Sequence, residues 1–232
     1  MNTICIGSSR EQKLPSLVLE HTIRKHSTIP VTILHSYDLL FPVPKRTENR
    51  SRTGFSFVRF AVPKMAHYEG LGAYLECDQI VFKDVAQLFQ LPFNGATVLR
   101  PKNQASVLLI DCDHVRWDVE DVVRSLDSGA YSYHALMEEL CLEAAFKISC
   151  SIPEEWNTLE RYEAGKTALL HYTNMALQPW RRWGHPLADL WLSELFHAVQ
   201  AGAIDRSVVE EEVRKRHVVP QVLDALNARL LR

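Results

Sequence analysis

Two short apolar stretches near the start of the chain decide the fold: residues 3–7 read TICIG and residues 31–34 read VTIL. The first stretch is β-branched and runs directly into a Gly/Ser turn, which predicts a buried strand that opens into a loop. Between them, residues 14–25 carry apolar side chains at helical spacing. Because two neighbouring parallel strands need a crossover connection, this start predicts a parallel strand–helix–strand unit of the kind that opens many nucleotide-binding domains.

The rest of the chain divides into a strand-rich first half and a mainly helical second half. We expect helices at 57–66 (which Pro63 must end or kink) and 84–88, and further strands at 72–75, 80–82, 97–99, 107–110 and 168–171. From Val119 onward the pattern predicts mainly helix, with 168–171 as the main exception. The prediction is an α/β fold with a central, mostly parallel sheet. Its nucleotide-binding domain covers residues 1–185, and residues 186–232 form a helical extension packed on the same domain.

Composition excludes several classes of protein. The 232 residues are 47% hydrophobic and 23% charged, which is typical of a globular domain rather than a disordered chain. With 26 basic and 28 acidic residues, the chain lacks the basic footprint of a nucleic-acid binder. No apolar run is long enough to cross a bilayer, and we see no secretory signal at the N-terminus. The five cysteines are odd in number and never in a C-x-x-C pair, which favours a reducing, cytoplasmic location.

An acidic pair follows the strand predicted at 72–75. Glu76 and Asp78 are two residues apart, so in an extended chain their carboxylates face the same way. Two like charges held together favour a cation between them, and oxygen ligands suit Mg²⁺ or Mn²⁺. Taken alone, however, the pattern is also that of two exposed acids in a turn.

Two further polar residues lie in apolar surroundings. His171 ends the strand predicted at 168–171, where open α/β sheets place their ligands, so it is either a third metal ligand or a structural histidine bonded to backbone. Arg59 lies within FSFVRFAVP, and a buried arginine needs an anionic partner. That partner is either an internal acid such as Asp78 or a phosphate.

A polar, proline-containing loop is predicted at residues 41–54. Its basic side chains are those of Lys45, Arg46, Arg50 and Arg52, against Glu48. This charge pattern is typical of a solvated surface, and the alternative is a mobile loop over an anionic ligand.

Five ordered motifs carry a family resemblance over roughly residues 3–180. They are RFAVP at 59–63, AYLECDQIVFKDVAQLF at 73–89, QASVLLID at 104–111, IPEEWN at 152–157 and HYTNMALQPW at 171–180. This ordered set resembles glycosyltransferase family 8, the retaining GT-A enzymes related to glycogenin and the bacterial galactosyltransferases. The similarity is greatest to a divergent bacterial branch.

The resemblance implies a UDP-sugar donor, a divalent metal (Mn²⁺ or Mg²⁺) and transfer with retention to an unknown acceptor. It implies that the metal ligands are Glu76, Asp78 and His171, and that Arg59 contacts the nucleotide sugar, with Gln104 as a further catalytic position. It also implies donor contacts along the first strand and around the acidic motif, at Ile6, Gly7, Ser8, Cys77 and Trp180.

Several positions depart from the family pattern. Glu76 replaces the first Asp of the D-x-D motif, Asn174 replaces a Gly, Gln104 replaces an Asn, and Gln178 stands where the family has a phosphate-neutralising Lys. The leading hypothesis is therefore a metal-dependent glycosyltransferase. The alternatives are a degenerate GT-A domain that binds a nucleotide sugar or a partner without transfer, and a nucleotide-binding α/β domain of another chemistry. The helices from Leu187 onward favour capping of the domain or contact with a second copy in a homodimer over membrane binding.

Overall fold

The computed structural model describes residues 2–36, 38–39, 42–142 and 147–230. Phe41, at the start of the predicted basic loop, and residues 231–232, at the end of the predicted helical tail, lie outside this part of the chain. Residues 143–146, within the predicted helical half, lie outside it as well.

Nine strands occur among the described residues and form two sheets. In chain order they are β1 Thr3–Ser8, β2 Val31–His35, β3 Leu71–Glu76, β4 Gln79–Val81, β5 Val98–Pro101, β6 Val107–Asp111, β7 Ile148–Ile152, β8 Thr158–Leu159 and β9 Leu169–His171. The large sheet has the strand order β2-β1-β3-β6-β5-β7, and the small sheet has the order β4-β9-β8.

Five strands of the large sheet run in one direction, and β6 runs against them. β1 pairs in parallel with both β2 and β3 and is almost fully buried, which explains its continuous apolar sequence. This mostly parallel sheet confirms the predicted fold class. The carboxyl ends of β1 and β3 open at the same edge, so residues that follow these strands meet there.

The small sheet brings a distant segment to this edge. A two-residue turn leads from β3 into β4, and β4 pairs antiparallel with β9 so that Gln79 lies opposite His171. The backbone N–H of Tyr172 donates to the carbonyl of Asp78 at 2.9 Å. The end of β9 is thereby held beside the turn that carries the acidic pair.

The described helices are α1 Lys13–Arg24, α2 Val62–Met65, α3 Val119–Ser128, α4 Ala188–Gln200, α5 Arg206–Arg214 and α6 Pro220–Leu230. Short 3₁₀ segments and one π-turn connect the other elements. Asp118 begins α3 by accepting hydrogen bonds from the N–H groups of Glu120 and Asp121, and Gly129, with φ of 84°, ends it.

Two apolar clusters form the core. The larger one surrounds the large sheet, and the smaller one joins α1 and the small sheet to α4, α5 and α6. In the smaller cluster the rings of Trp180 and Trp191 are fully buried, with their centroids 5.2 Å apart. The C-terminal helices therefore pack against the outer face of α1.

The prediction of a mainly helical second half is wrong at two strands, β7 and β8. β7 completes the large sheet at its edge, where Cys150 and Ser151 are exposed. Its sequence, ISCSI, lacks the apolar run of a central strand because an edge strand does not need one.

The helix predicted at 57–66 is shorter than expected. It forms as a 3₁₀ turn at Val58–Ala61 followed by the single-turn α2, and Pro63 lies in the first turn of α2. There its missing N–H has no hydrogen bond to lose, so Pro63 lies at the start of a helix rather than ending one. Pro220 likewise begins α6.

The longest described helix, α4, has 13 residues. No helix in the described ranges combines the length and the apolar composition that crossing a membrane requires.

Candidate active site

Three buried polar side chains meet where β3, β4 and β9 come together. Glu76 is the last residue of β3, Asp78 lies in the turn that follows, and His171 is the last residue of β9. His171 Nε2 lies 3.1 Å from Asp78 Oδ1 and 3.5 Å from Glu76 Oε2. One ligand atom from each residue lies within 4.8 Å of the other two. The structure thus brings together the three residues that the sequence predicts as metal ligands.

The other ring nitrogen of His171 is oriented by Asn157. Asn157 Nδ2 donates to Asn103 Oδ1 at 3.1 Å and to the Gln104 carbonyl at 3.5 Å, which turns Oδ1 towards the imidazole. His171 Nδ1 lies 3.0 Å from this oxygen, and Ser106 Oγ also donates to it. Since the amide oxygen can only accept, the proton belongs on Nδ1, and the lone pair of Nε2 faces the two carboxylates.

In this arrangement three electron-rich atoms face one another: Asp78 Oδ1, Glu76 Oε2 and His171 Nε2. Asp78 Oδ1 is buried, and it has no hydrogen-bond donor among the described residues, although His171 Nε2 lies 3.1 Å from it. Burial lowers the pKa of His171, but the carboxylates of Asp78 and Glu76 outweigh it and raise the pKa above its ordinary value. The site therefore favours a positive charge at its centre, and its two oxygens and one nitrogen suit a divalent cation such as Mn²⁺.

Glu76 also forms a buried ion pair with Arg59. Arg59 Nη2 donates to Glu76 Oε1 at 2.7 Å. The partner of Arg59 is thus an internal acid, but it is Glu76 rather than Asp78. Burial raises the pKa of Glu76 to about 7 even though Arg59 opposes the rise. The remaining guanidinium donors reach the backbone carbonyls of Ser56, Ala105 and Met137.

A chain of buried amides holds the other oxygen of Asp78. Gln178 Nε2 donates to Asp78 Oδ2 and to the Tyr172 carbonyl, each at 2.9 Å. Gln12 Nε2 donates to Gln178 Oε1 at 3.4 Å, and Trp180 Nε1 donates to Gln12 Oε1 at 2.9 Å. The indole of Trp180 thus supports the carboxylate through two amides, which leaves Oδ1 facing the cavity.

These side chains line a cavity of about 170 Å³, the central cavity. Arg59, Gln104, Glu76, Asp78 and His171 contribute to its walls, and Gln104 Oε1 is buried there without a hydrogen bond from any described residue. The other walls come from Arg52, Thr53, Phe55, Ser56, Ala105, Ser106, Tyr133, Met137, Glu138, Thr173 and Met175. A second cavity, of about 110 Å³, adjoins it and shares Asp78.

Arg59 lines the central cavity, but the other residues predicted to hold the donor nucleotide line neither this cavity nor the adjoining one; they are Ile6, Gly7, Ser8, Cys77 and Trp180. Ile6, Gly7 and Cys77 are buried in or beside the sheet, and a Cβ on Gly7 would come within 2.3 Å of the Tyr74 hydroxyl. Ser8 Oγ points back to the carbonyls of Ser9 and Gln12. Trp180 is linked to Asp78 through Gln12 and Gln178. The adjoining cavity is lined instead by the residues that follow β1, namely Ser9, Glu11 and Gln12.

Several residues of the site are not predicted from the sequence. Gln12 lies outside the quoted motifs, and Ser106 lies in the 104–111 motif without an assigned role, so both become visible only through their hydrogen bonds. Arg52 was predicted only as one of several loop cations, and among these it alone lines the central cavity. In the sequence, Arg52 differs from the other loop cations in lying nearest to Arg59.

In sequence, the chain is similar to a protein of Arabidopsis thaliana. No family model matches the chain. It is 27% identical to Protein CDI of Arabidopsis thaliana over 233 residues, which cover 83% of this chain and 85% of that protein.

Similar solved structures are glycosyltransferases. They include GlyE of Streptococcus pneumoniae (TM-score 0.60, 17% identity, 94% of this chain) and the bifunctional glycosyltransferase WbbM (TM-score 0.60, 11% identity, 83% of this chain). The galactosyltransferase LgtC, solved with donor and acceptor sugar analogues, gives a TM-score of 0.56 at 13% identity over 93% of this chain. The chain spans 49% of the WbbM chain, 64% of the GlyE chain and all of the LgtC chain.

At these identities the likeness shows the fold, which is the GT-A fold of glycosyltransferases. Membership of family 8, and of its bacterial branch, stays a prediction.

Proposed function

We propose that this protein is a glycosyltransferase that moves a sugar from a UDP-sugar donor to an acceptor hydroxyl, with retention, using a divalent metal. The observation that carries the proposal is the convergence of Asp78 Oδ1, Glu76 Oε2 and His171 Nε2 in a buried cavity of a GT-A fold. The choice of uridine, hexose and manganese, and a cytoplasmic location, rests on the resemblance of the motifs alone. A homodimer through the C-terminal helices is part of the same proposal.

In the net reaction, the bond between the anomeric carbon and the diphosphate oxygen breaks, and the electron pair leaves with the nucleoside diphosphate. The acceptor oxygen forms the new bond to the same carbon, and its proton passes to the departing diphosphate. Glu76, Asp78 and His171 would hold a divalent cation, which would act as a Lewis acid and stabilise the negative charge on the leaving group.

The other residues of the site act on position and charge. Asn157 keeps the lone pair of His171 Nε2 directed into the cavity, and Gln178 keeps Asp78 Oδ1 directed there. Arg52 at the rim adds a positive charge close to where the diphosphate would lie. The Gln104 amide, with its unused oxygen, is placed to accept a hydrogen bond from a sugar hydroxyl.

One observation favours the second candidate, a GT-A domain that binds a nucleotide sugar without transfer. Arg59, the cation expected to contact the donor, is only 6% exposed and directs its guanidinium to Glu76 and to backbone carbonyls. An arginine whose donors are already engaged contributes little new charge stabilisation in a transition state.

Calorimetry with UDP, in the presence and absence of Mn²⁺, tests the proposal in the unmodified chain and in Asp78→Asn. We expect UDP binding that depends on Mn²⁺ in the unmodified chain and its loss in Asp78→Asn. The matched control is Asp111→Asn, because Asp111 also pairs with a histidine (His114 Nδ1, 2.8 Å) but lies at the opposite end of the sheet.

Slow release of UDP from UDP-glucose or UDP-galactose then separates the two candidates. If the unmodified chain releases UDP from either donor and Asp78→Asn does not, the result supports the transferase. Tight UDP binding without release from either donor supports the non-catalytic domain. Equal Mn²⁺-dependent UDP binding by Asp78→Asn and the unmodified chain would overturn both.

A further inference from the structure

A groove that is distinct from the two cavities of the candidate active site lies beside the central cavity. It has a volume of about 710 Å³, and we call it the basic groove because Arg46, Arg50 and Arg52 line it. Tyr131 and Tyr133 form its aromatic wall, and Glu48 is its one acidic lining residue among those described. None of these residues belongs to the motifs that carry the family resemblance.

The basic groove is continuous with the central cavity through two shared residues. Arg52 and Tyr133 line both, and the Arg52 guanidinium carbon lies 5.9 Å from the centre of the Tyr133 ring. The backbone N–H of Arg52 donates to the Tyr133 hydroxyl at 3.1 Å. A molecule lying in the basic groove would therefore reach past this pair towards Asp78 and His171.

The loop that carries the arginines is tied to the end of α3. Asp127 accepts hydrogen bonds from the backbone N–H groups of Lys45 and Arg46, at 2.7 and 3.4 Å, and from the side chain of Asn49. Asn49 also donates to the Leu126 carbonyl. These bonds lower the pKa of Asp127, so the carboxylate stays charged and the loop stays anchored. The arginines are thus presented by a fixed loop rather than by an unattached one.

The three arginines outnumber the single acidic residue, Glu48, that lines the basic groove in the described part of the chain. Arg46, Arg50 and Arg52 are exposed, and within the described ranges none of them forms an ion pair with an acidic side chain. A guanidinium presents a planar pair of donors that matches a carboxylate or a phosphate, and a tyrosine ring offers an apolar face for a sugar ring. Three such cations beside two tyrosines fit a carbohydrate that carries an anionic group.

We propose that the basic groove binds the acceptor, and that this acceptor is a sugar bearing a phosphate or a carboxylate. The proposal rests on the proposed function, because it assigns the acceptor side of the same site. The anionic group lies against Arg46 and Arg50, and the reacting hydroxyl extends past Arg52 and Tyr133 into the central cavity.

The test measures binding of four probes by calorimetry: glucose 6-phosphate, glucuronic acid, glucose and inorganic phosphate. Each is titrated into the full chain, into the double variant Arg46→Gln/Arg50→Gln and into the control Arg124→Gln. Arg124 lies on α3 and is exposed, but it is paired with Asp121 and lies outside the groove. Thermal melting confirms that each variant is folded.

We expect at least one of the two anionic sugars to bind more tightly than both glucose and inorganic phosphate. In the double variant this binding falls about tenfold, while Arg124→Gln matches the unmodified chain. Preference for glucose 6-phosphate or for glucuronic acid identifies the anionic group as phosphate or carboxylate.

Three results would overturn the proposal: equal binding of glucose and the anionic sugars, binding of inorganic phosphate as tight as that of glucose 6-phosphate, or no loss in the double variant. Because these titrations contain neither UDP nor metal, they are read independently of the UDP experiment above. Failure of UDP binding thus removes the proposed function, whereas failure here removes only the acceptor assignment.

Discussion

At the scale of single residues, the site depends on which nitrogen of His171 carries the proton. The sequence predicts the acidic pair and the histidine, because these residue types follow apolar strands and have clear chemistry. It does not predict that Asn157 selects the tautomer. That role depends on hydrogen bonds that join Asn103, Ser106, Asn157 and His171 from three separate segments.

Replacing Asn157 with Leu removes the acceptor that holds the proton on His171 Nδ1. We expect Mn²⁺ affinity to fall about 10- to 100-fold, measured by calorimetry with the metal alone. The matched control is Asn227→Leu on α6, where Oδ1 is buried and makes no hydrogen bond to a described residue. Unchanged Mn²⁺ affinity in Asn157→Leu would show that the tautomer does not matter.

Tyr74 offers a second test at this scale. Its hydroxyl is buried and has no hydrogen-bond partner in the described part of the chain, whereas the Tyr172 hydroxyl donates to the Leu187 carbonyl at 3.0 Å. We expect Tyr74→Phe to leave the free energy of unfolding unchanged or raise it, and Tyr172→Phe to lower it by about 1 kcal/mol. Urea denaturation measures both. If the free energy of unfolding fell more in Tyr74→Phe than in Tyr172→Phe, the Tyr74 hydroxyl would have to make a stabilising hydrogen bond, contrary to the structure.

At the scale of elements, the sequence predicts the central strands well and the edges poorly. β1, β3 and β6 are apolar along their length because both faces are covered, so their patterns are plain. β7 is only partly buried and β8 has two residues, and the small sheet forms through pairing between distant segments. The sequence pattern within each short segment does not indicate which distant segment it pairs with.

The basic loop makes a prediction at this scale. Asp127→Ala removes the carboxylate that accepts from the Lys45 and Arg46 backbone N–H groups. We expect faster amide hydrogen exchange at these two residues, with little change in melting temperature, because Asp127 is only half-buried. Asp121→Ala, nearly two turns earlier on α3, serves as the control. Equal exchange in the two variants would show that the loop is held by other contacts.

At the scale of the whole molecule, the C-terminal helices complete a core that α1 begins. The apolar side of α1 that carries Leu14 and Val18 belongs to the smaller cluster, together with Trp191 of α4 and the helices that follow. This packing explains why residues near the start and the end of the chain depend on each other. The domain boundary at residue 185 stays a prediction.

Trp191 tests how strongly this second core stabilises the fold. Its side chain is fully buried, whereas Trp183 is 49% exposed. We expect Trp191→Ala to lower the free energy of unfolding by about 3–5 kcal/mol, measured by urea denaturation, and Trp183→Ala to cost far less. If Trp191→Ala lowered the free energy of unfolding as little as Trp183→Ala, the helical tail would add little to the stability of the sheet domain.

The central claim is that Glu76, Asp78 and His171 together hold a divalent cation beneath a diphosphate. Crystals grown with MnCl₂ and UDP, with data collected at the manganese absorption edge, test it most directly. The account predicts one strong anomalous peak among the three side chains, with density for the UDP phosphates beside it. Bound UDP with no anomalous peak at these residues, or a peak elsewhere in the molecule, would contradict it.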